Sequence, residues 1–296
     1  MATLKELQLS NSRLRRLPDF IALGRLDRPI GIYLLMWPTL WALWFAGDGQ
    51  PDAGIILVFI AGVFIMRSAG CVINDYADRK VDPHVERTRN RPIASGKVSS
   101  REALVLFGIL CLLAFLLVLQ LNMYTVKLSL VAVILAASYP FMKRFTHLPQ
   151  AFLGLSFGWS IPMAFAAQYG SLQTAAWILL LANICWTVAY DTMYAMVDRE
   201  DDVKIGVKST AILFGRHDRL IVGALQIATV ALLLWAGMQF ERGIYYHGGV
   251  VFASIFLVYQ QWLIAQQDRE RYFRAFLNNN WFGAVVFAGL VLDYLP

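Results

Sequence analysis

The sequence predicts an all-α, polytopic membrane protein with nine transmembrane helices in one bundle. Three observations predict this fold class: the composition, the apolar runs and the distribution of positive charge. Of the 296 residues 58% are hydrophobic and only 16% are charged, whereas soluble domains are about 45–50% apolar and about 25% charged. So much apolar surface cannot be kept away from water in a soluble fold, and 14% aromatic residues exclude a disordered chain.

The apolar runs have the length of membrane spans, which need about 17–25 mostly apolar residues. The runs are continuous and not alternating, which favours helices over strands. No linker rich in Pro, Gly or Ser separates them, so we expect one membrane domain over 1–296, with a basic arm over 1–28 that lies on the membrane surface. The predicted spans are 29–46, 53–73, 102–120, 125–141, 150–168, 175–197, 219–238, 244–264 and 281–295.

Positive charge is confined almost entirely to one side of these spans. Of the 26 Lys and Arg residues, 23 precede the first span or lie in loops on that same side. Lys127 and Arg242 lie on the other side, and Arg67 lies inside the second span. The positive-inside rule then predicts a cytoplasmic N-terminus and an extracytoplasmic C-terminus. Topology therefore explains the net charge of +6 without nucleic-acid binding.

Two acidic clusters follow the second and sixth spans. The pattern Asn74-x3-Asp78 in the first recurs as Asp198-x3-Asp202 in the second, at an offset of 124 residues. The match indicates an internal repeat of four-helix units. The predicted cytoplasmic loops 74–101 and 198–218, which contain the clusters, are expected to hold the polar chemistry.

Residues four apart share a helix face, so each pair presents two oxygen ligands together. Asp82 would lie one turn further on the first face, whereas Asp75 and Asp201 need not share it. Carboxylates near hydrocarbon are costly, and hard divalent cations prefer such ligands. A solvated loop that balances nearby Lys and Arg is the alternative, which the matched pair of clusters disfavours.

Ionisable residues near or inside the spans are further candidates. Asp191 lies two turns before Asp198, where an intramembrane acid is either functional or hydrogen-bonded to a neighbouring helix. Arg67 is placed to bind a phosphate oxygen or to pair with an Asp. Lys143, Arg144 and Arg28 could bind an anion or serve topology alone. The three Cys and four His residues form no ligand spacing.

Acids suited to Mg²⁺, nearby cations and an apolar bundle together suit a substrate with a diphosphate head and a hydrocarbon tail. The head would lie at the cytoplasmic rim. A cation-coupled transporter would instead favour charges near the midplane. A CDP-alcohol phosphotransferase would need an Asp-Gly-x2-Ala-Arg pattern, which is absent.

Asn74-Asp75-x2-Asp78-x3-Asp82 together with Asp198-x2-Asp201-Asp202 resembles the paired aspartate motifs of the UbiA superfamily of intramembrane prenyltransferases. Three longer strings are similar to its bacterial 4-hydroxybenzoate polyprenyltransferase branch. They are RLDRPIGIYLLMWPTLW at 25–41, RNRPIASG at 89–96 and YDTMYAMVDREDDVKIGVKST at 190–210. The resemblance covers essentially the whole chain.

The resemblance implies a multi-pass protein of the bacterial inner membrane. It implies Mg²⁺, a polyprenyl diphosphate donor and a 4-hydroxybenzoate acceptor, in ubiquinone biosynthesis, with prenylation ortho to the hydroxyl. Branches acting on haem, menaquinone or chlorophyll precursors, or on other aromatic acceptors, stay open as alternatives.

The resemblance also assigns roles to the candidate residues. Asp191 would orient or deprotonate the phenol, with Asp75 and Arg67 as further catalytic candidates. Arg28 would hold the benzoate carboxylate. The diphosphate would contact Arg67, Lys143 and Arg144, and the metal ligands would be Asn74, Asp78, Asp82, Asp198, Asp201 and Asp202.

Overall fold

The computed structural model describes residues 16–295. The prediction of an all-α fold is confirmed, because these residues form α-helices and two 3-10 turns and contain no strand. The helices are α1 (16–23), α2 (Ile30–Ala46), α3 (Ala53–Asp78), α4 (Ser100–Val118), α5 (Met123–Met142), α6 (Pro149–Gly158), α7 (Ser160–Tyr169), α8 (Thr174–Ile205), α9 (Thr210–Phe214), α10 (Asp218–Gln239), α11 (Ile244–Ile264) and α12 (Arg269–Tyr294).

Seven helical segments in the described part of the chain are long and apolar enough to cross a membrane. They are α3, α4, α5, α8, the continuous stretch from α9 to α10, α11 and α12. The 17-residue helix α2 and the pair α6–α7 complete the nine apolar segments that the sequence predicts. Their outer faces carry exposed apolar side chains such as Val105, Leu112 and Ile134, as expected for a surface that faces lipid.

The fifth predicted span, 150–168, is interrupted. Helix α6 ends at Gly158 and α7 begins at Ser160, with Trp159 between them. Pro162 has no backbone N–H and cannot bond the carbonyl four residues before it, that of Gly158. The apolar pattern is unbroken at this point, so hydrophobicity alone did not reveal the interruption.

Three helices extend beyond their apolar runs. Helix α3 continues to Asp78, α8 continues to Ile205, and α12 begins at Arg269. The segment predicted as a loop over 198–218 is thus helical at its start, and the polar motifs lie on the projecting ends of helices. Gly206 caps the C-terminus of α8 with a φ of 72°, a left-handed conformation that glycine adopts readily at a helix end.

Asp82 is not on the helix that carries Asn74 and Asp78, so the prediction of one shared face is wrong for Asp82. The helix ends at Asp78, and Asp82 begins a 3-10 turn, Asp82–His84. Pro83 follows directly, and a residue before proline is disfavoured in the α-helical conformation.

Helices α2, α8 and α12 form the centre of the bundle. The rings of Trp41 and Trp186 lie 5.3 Å apart and are buried. The indole of Trp186 donates to the side-chain oxygen of Asn279 at 2.8 Å, and that of Trp41 donates to the carbonyl of Gly283 at 3.1 Å. Both indoles are thereby satisfied inside an apolar core, as buried Trp requires.

The described part of the predicted basic arm packs against the bundle. Leu23 is fully buried in a cluster with Val72 of α3 and Ala103 of α4. Arg16 forms an ion pair with Glu102 at the start of α4. The arm's residues 1–15 lie outside the described residues.

Helices α11 and α12 approach closely at two glycines. A Cβ atom added to Gly249 would lie 2.9 Å from the Cα of Gly289, and one added to Gly289 would lie 3.0 Å from the Cα of Gly249. Small residues at such a crossing let helix backbones pack closely in a membrane. At the preceding position, Gly248, an added Cβ would meet nothing within 4 Å.

We expect Gly249→Ala to lower the melting temperature of the detergent-solubilised protein, because its methyl group forces the two backbones apart. Gly248→Ala is the matched control. It also replaces a glycine inside a helix, where Gly is about 0.5–1 kcal/mol less stable than Ala. Because its methyl group meets no neighbouring atom, this variant should leave the melting temperature unchanged or raise it. Equal melting temperatures for the two variants would contradict this packing.

Candidate active site

A polar cavity of about 190 Å³ opens where the ends of α3, α5 and α8 meet the loop 79–99. Acidic and amide side chains from both sequence clusters line it. Lys143 also lines the cavity. The structure therefore brings together seven of the predicted site residues: Asn74, Asp78, Asp82, Lys143, Asp191, Asp198 and Asp202.

Helix α8 supplies one wall of this cavity as a single stripe. Asp191, Tyr194, Asp198 and Asp202 all line the cavity, and their successive spacings of three, four and four residues place them on one helix face. This stripe exists because α8 continues as a helix past its apolar run. Asn74 and Asp78 at the end of α3 form the opposite wall.

Cations from other elements pair with both walls. Lys143, at the end of α5, donates to the Asp78 carboxylate. The Arg87 Nε donates to the Asp198 carboxylate at 2.9 Å, and the Arg87 guanidinium also donates to the Tyr194 hydroxyl. The sequence does not distinguish Arg87 from the other positive residues of its loop, all of which topology alone explains.

Two acidic groups in the cavity keep unused acceptor capacity. The Oδ1 atom of Asp78 is buried, with no hydrogen-bond partner within the residues that the structure describes. Asp202 has no Lys, Arg or His nitrogen within 4.0 Å among the same residues. Buried acceptors normally find a partner, so the Asp78 Oδ1 is available to a cation, and the half-buried Asp202 carboxylate has no counter-ion among these residues that would compete with one.

This donor set fits a hard divalent cation. It consists of carboxylate and amide oxygens, the ligands that Mg²⁺ prefers, and Mg²⁺ is typically bound by one or two carboxylates together with substrate phosphates. Across residues 16–295, no three acidic, His or Cys side chains converge on one point. The acids lie instead on separate walls of the cavity, so a metal ion held here would need further oxygens from a ligand such as a phosphate.

Asp75 lies behind the cavity wall. It is 1% exposed and accepts from Arg25 at 2.8 and 3.0 Å, with Arg91 at 3.2 Å. Arg91 also contacts Asp82 at 3.0 Å. Burial raises the pKa of the Asp82 carboxyl above its ordinary value, and the charge of Arg91 opposes this effect. This ion-pair chain links residue 25, helix α3 and the loop 79–99.

Three other predicted site residues also lie outside the polar cavity. Asp201 faces Lys204 at 3.6 Å and Arg269 at 3.7 Å, because it is one position away from the Asp202 face. Arg144 donates to the carbonyl of Ala77. The Arg28 side chain is 79% exposed and lies 3.8 Å from Asp27. None of the three contributes to the lining.

Arg67 lies in a second, apolar cavity of about 150 Å³, which is lined by residues of α2 to α7. Its guanidinium is 5.4 Å from the ring centroid of Phe157. Its Nε is buried and has no hydrogen-bond partner among residues 16–295. A Cβ atom added to Gly31 would lie 2.3 Å from that Nε, so only glycine leaves room for the guanidinium here.

Tyr139 joins the two cavities. Its side chain lines both, and its hydroxyl donates to the Oδ1 of Asn74 at 3.4 Å. A charged, oxygen-rich chamber thus adjoins a chamber whose lining includes the apolar residues Phe59, Val63 and Leu121.

A bundle of apolar helices around adjoining polar and apolar cavities defines the class of the protein, an intramembrane enzyme. The comparisons with known proteins define the family. The model of the UbiA prenyltransferase family matches residues 35–287, and the chain belongs to this family.

Curated relatives match over nearly their full length. The 4-hydroxybenzoate octaprenyltransferase of Methylococcus capsulatus is 63% identical over 273 residues, which are 92% of this chain and 94% of that protein. The 4-hydroxybenzoate octaprenyltransferase of Nitrosococcus oceani is 60% identical, over 95% of this chain and 99% of that protein.

Solved structures share the fold. The apo structure of a UbiA homolog from Aeropyrum pernix has a TM-score of 0.79 at 25% identity, over 90% of this chain and 98% of that one. A UbiA homolog from Archaeoglobus fulgidus bound to GPP and Mg²⁺ has a TM-score of 0.69 at 17% identity, over 92% of this chain and 99% of that one.

We expect Asp75→Asn and Asp202→Asn to differ in their effect on stability. Asp75→Asn leaves the Arg25 guanidinium without its carboxylate and Arg91 with Asp82 as its remaining partner, which should cost about 3 kcal/mol and lower the melting temperature. Asp202→Asn removes a carboxylate that has no ion-pair partner among residues 16–295 and should not lower it. Thermal unfolding of both purified variants checks this, and a larger loss for Asp202→Asn would contradict the assignment.

Proposed function

We propose that the protein transfers a polyprenyl group from a polyprenyl diphosphate to 4-hydroxybenzoate in a Mg²⁺-dependent reaction of ubiquinone biosynthesis. The new bond forms at the ring carbon ortho to the hydroxyl. The single observation that carries the proposal is the pair of facing oxygen-lined walls that adjoins an apolar cavity at Tyr139. The curated relatives, which bear the name of this activity at 60–63% identity, support the choice of acceptor.

Four residues of the two walls would hold the metal: Asn74, Asp78, Asp198 and Asp202. Bound there, Mg²⁺ would neutralise the charge that develops on the departing diphosphate. The 17%-identical homolog bound to GPP and Mg²⁺ supports this only as a protein of the same fold. Asp82 also faces the cavity and is the further candidate ligand, whereas the ion pairs of Asp201 keep it out of the proposed set.

Two cations of the cavity would contact the diphosphate. Lys143 and Arg87 already lie against Asp78 and Asp198, so short side-chain movements bring their N–H groups to phosphate oxygens. Such charge-assisted hydrogen bonds strengthen as the leaving group gains charge. In this proposal Arg87 replaces Arg144, which donates to the carbonyl of Ala77 and does not line the cavity.

The acceptor would lie between the two cavities. Arg67 offers an unpartnered buried Nε and a planar fork that matches the benzoate carboxylate, a role for which Arg28 is too exposed. Asp191, on the α8 stripe, would orient the phenol hydroxyl or accept its proton. As the allylic C–O bond breaks and the C–C bond to the ring forms, the rings of Tyr139 and Tyr194 would stabilise the allylic cation. The ring carbon would then lose its own proton to the departing diphosphate, which restores the aromatic ring.

The apolar cavity would receive the start of the prenyl tail, and the polar cavity would open toward the cytoplasm. We propose a multi-pass arrangement in the bacterial inner membrane with a cytoplasmic N-terminus. The sequence supports this orientation because the cavity's loop 79–99 and the end of α5 belong to the side that carries 23 of the 26 Lys and Arg residues. The whole chain would act as one membrane domain.

We expect Asp78→Ala and Asp202→Ala each to lower prenyl transfer about a hundredfold or more, as the loss of a preorganised electrostatic group does. Product formation is measured by mass spectrometry of membranes supplied with Mg²⁺, 4-hydroxybenzoate and a prenyl diphosphate. Asp201→Asn is the matched control, because the neighbouring acid faces away from the cavity, and it should keep most of the activity. Near wild-type rates for both Ala variants would refute the metal site.

We expect Arg67→Gln to raise the KM for 4-hydroxybenzoate about 30-fold, because loss of one partner of a buried charge pair costs at least about 2 kcal/mol. Gly31→Ala should raise the same KM by displacing the guanidinium. The KM for the prenyl diphosphate should change little in either variant. Arg28→Gln should change neither constant, and an effect confined to the diphosphate KM in Arg67→Gln would assign Arg67 to the donor instead.

A further inference from the structure

A groove of about 880 Å³ runs along the outer surface of the bundle between α10 and α11, away from both cavities of the candidate active site. On α10 its lining recurs every three or four residues from Arg219 to Leu234. At 1.5 Å per residue this stretch is about 22 Å long. The hydrocarbon core of a bilayer is about 30 Å thick, so the groove is longer than the half of this thickness that one leaflet contributes.

The groove is apolar along most of its length. Small residues, Gly223 and Ala231, keep it open, and the side chains of Leu220, Ile227 and Val258 at its margins are exposed. An apolar channel open along the lipid-facing surface has the shape and chemistry to accommodate an acyl chain.

Positive charge lies at one end of the groove only. Arg216 and Arg219 line that end and are both exposed. The nearest acid in sequence, Asp218, pairs with Arg199, and among residues 16–295 no carboxylate lies within 4.0 Å of either guanidinium.

We propose that this groove is a binding site for an anionic phospholipid, with the lipid phosphate on Arg216 and Arg219 and an acyl chain between α10 and α11. Both arginines belong to the basic side of the protein, where anionic headgroups attract Lys and Arg clusters. The groove is long enough to hold the whole acyl chain of a lipid in the leaflet on that side. The site is independent of the proposed reaction, since neither arginine lines the polar cavity.

The full-length protein in detergent is titrated with phosphatidylglycerol or phosphatidylcholine, and bound lipid is counted by native mass spectrometry. The wild type should retain phosphatidylglycerol in preference to phosphatidylcholine. The double variant Arg216→Gln/Arg219→Gln should bind phosphatidylglycerol about tenfold or more weakly. The neutral variant Ala231→Phe, which fills the groove, should weaken binding while leaving the charges in place.

The matched control is Arg101→Gln/Arg274→Gln, which removes the same charge from exposed arginines on the same side of the spans, outside the groove. It should bind phosphatidylglycerol as the wild type does. Equal retention of the two lipids by the wild type would overturn the proposal. So would equal losses in the test and control double variants. Displacement of phosphatidylglycerol by millimolar inorganic phosphate, with no effect of Ala231→Phe, would identify a free-anion site instead of a lipid site.

Discussion

The cost of carboxylates at the edge of hydrocarbon governs the architecture of this protein. An uncompensated charge near lipid is expensive, yet two helices here bring acidic side chains to one cavity. The structure meets this constraint with a cation for most of the acids. Arg25 and Arg91 neutralise Asp75 behind the wall, while Lys143 and Arg87 neutralise the wall itself. The loop 79–99 is held against the bundle because it carries two of these cations.

The constraint separates two kinds of acid that look alike in the sequence. Asp75 and Asp78 are three residues apart on α3, and both are buried. The carboxylate of Asp75 is enclosed by two guanidinium groups, whereas one oxygen of Asp78 is left without a partner among the described residues. Asp75 holds neighbouring segments together through its ion pairs, and Asp78 has an oxygen available to bind a ligand.

Much of the fold could be predicted from the sequence, because apolar runs and positive loops follow directly from the membrane as a solvent. The gathering of Asp78 with Asp202 was predictable from matched i, i+4 pairs at equivalent helix ends. The break at Trp159, the turn that takes Asp82 off the helix and the inward placement of Arg87 depend on local backbone geometry and long-range contacts. The sequence around Arg87 does not show whether its side chain faces solvent or Asp198, which is 111 residues away in the chain.

The pairs of Lys143 with Asp78 and of Arg87 with Asp198 have a consequence for turnover. Asp78 and Asp198 each have a counter-ion supplied by the protein itself, so entry of the proposed diphosphate would exchange one ionic partner of Lys143 and Arg87 for another. The reverse exchange would accompany product release. When the product diphosphate leaves, side-chain rotations would return Lys143 to Asp78 and Arg87 to Asp198. Formation of these ion pairs would favour release of the product. Strong binding of the diphosphate during the reaction is therefore compatible with its release as product.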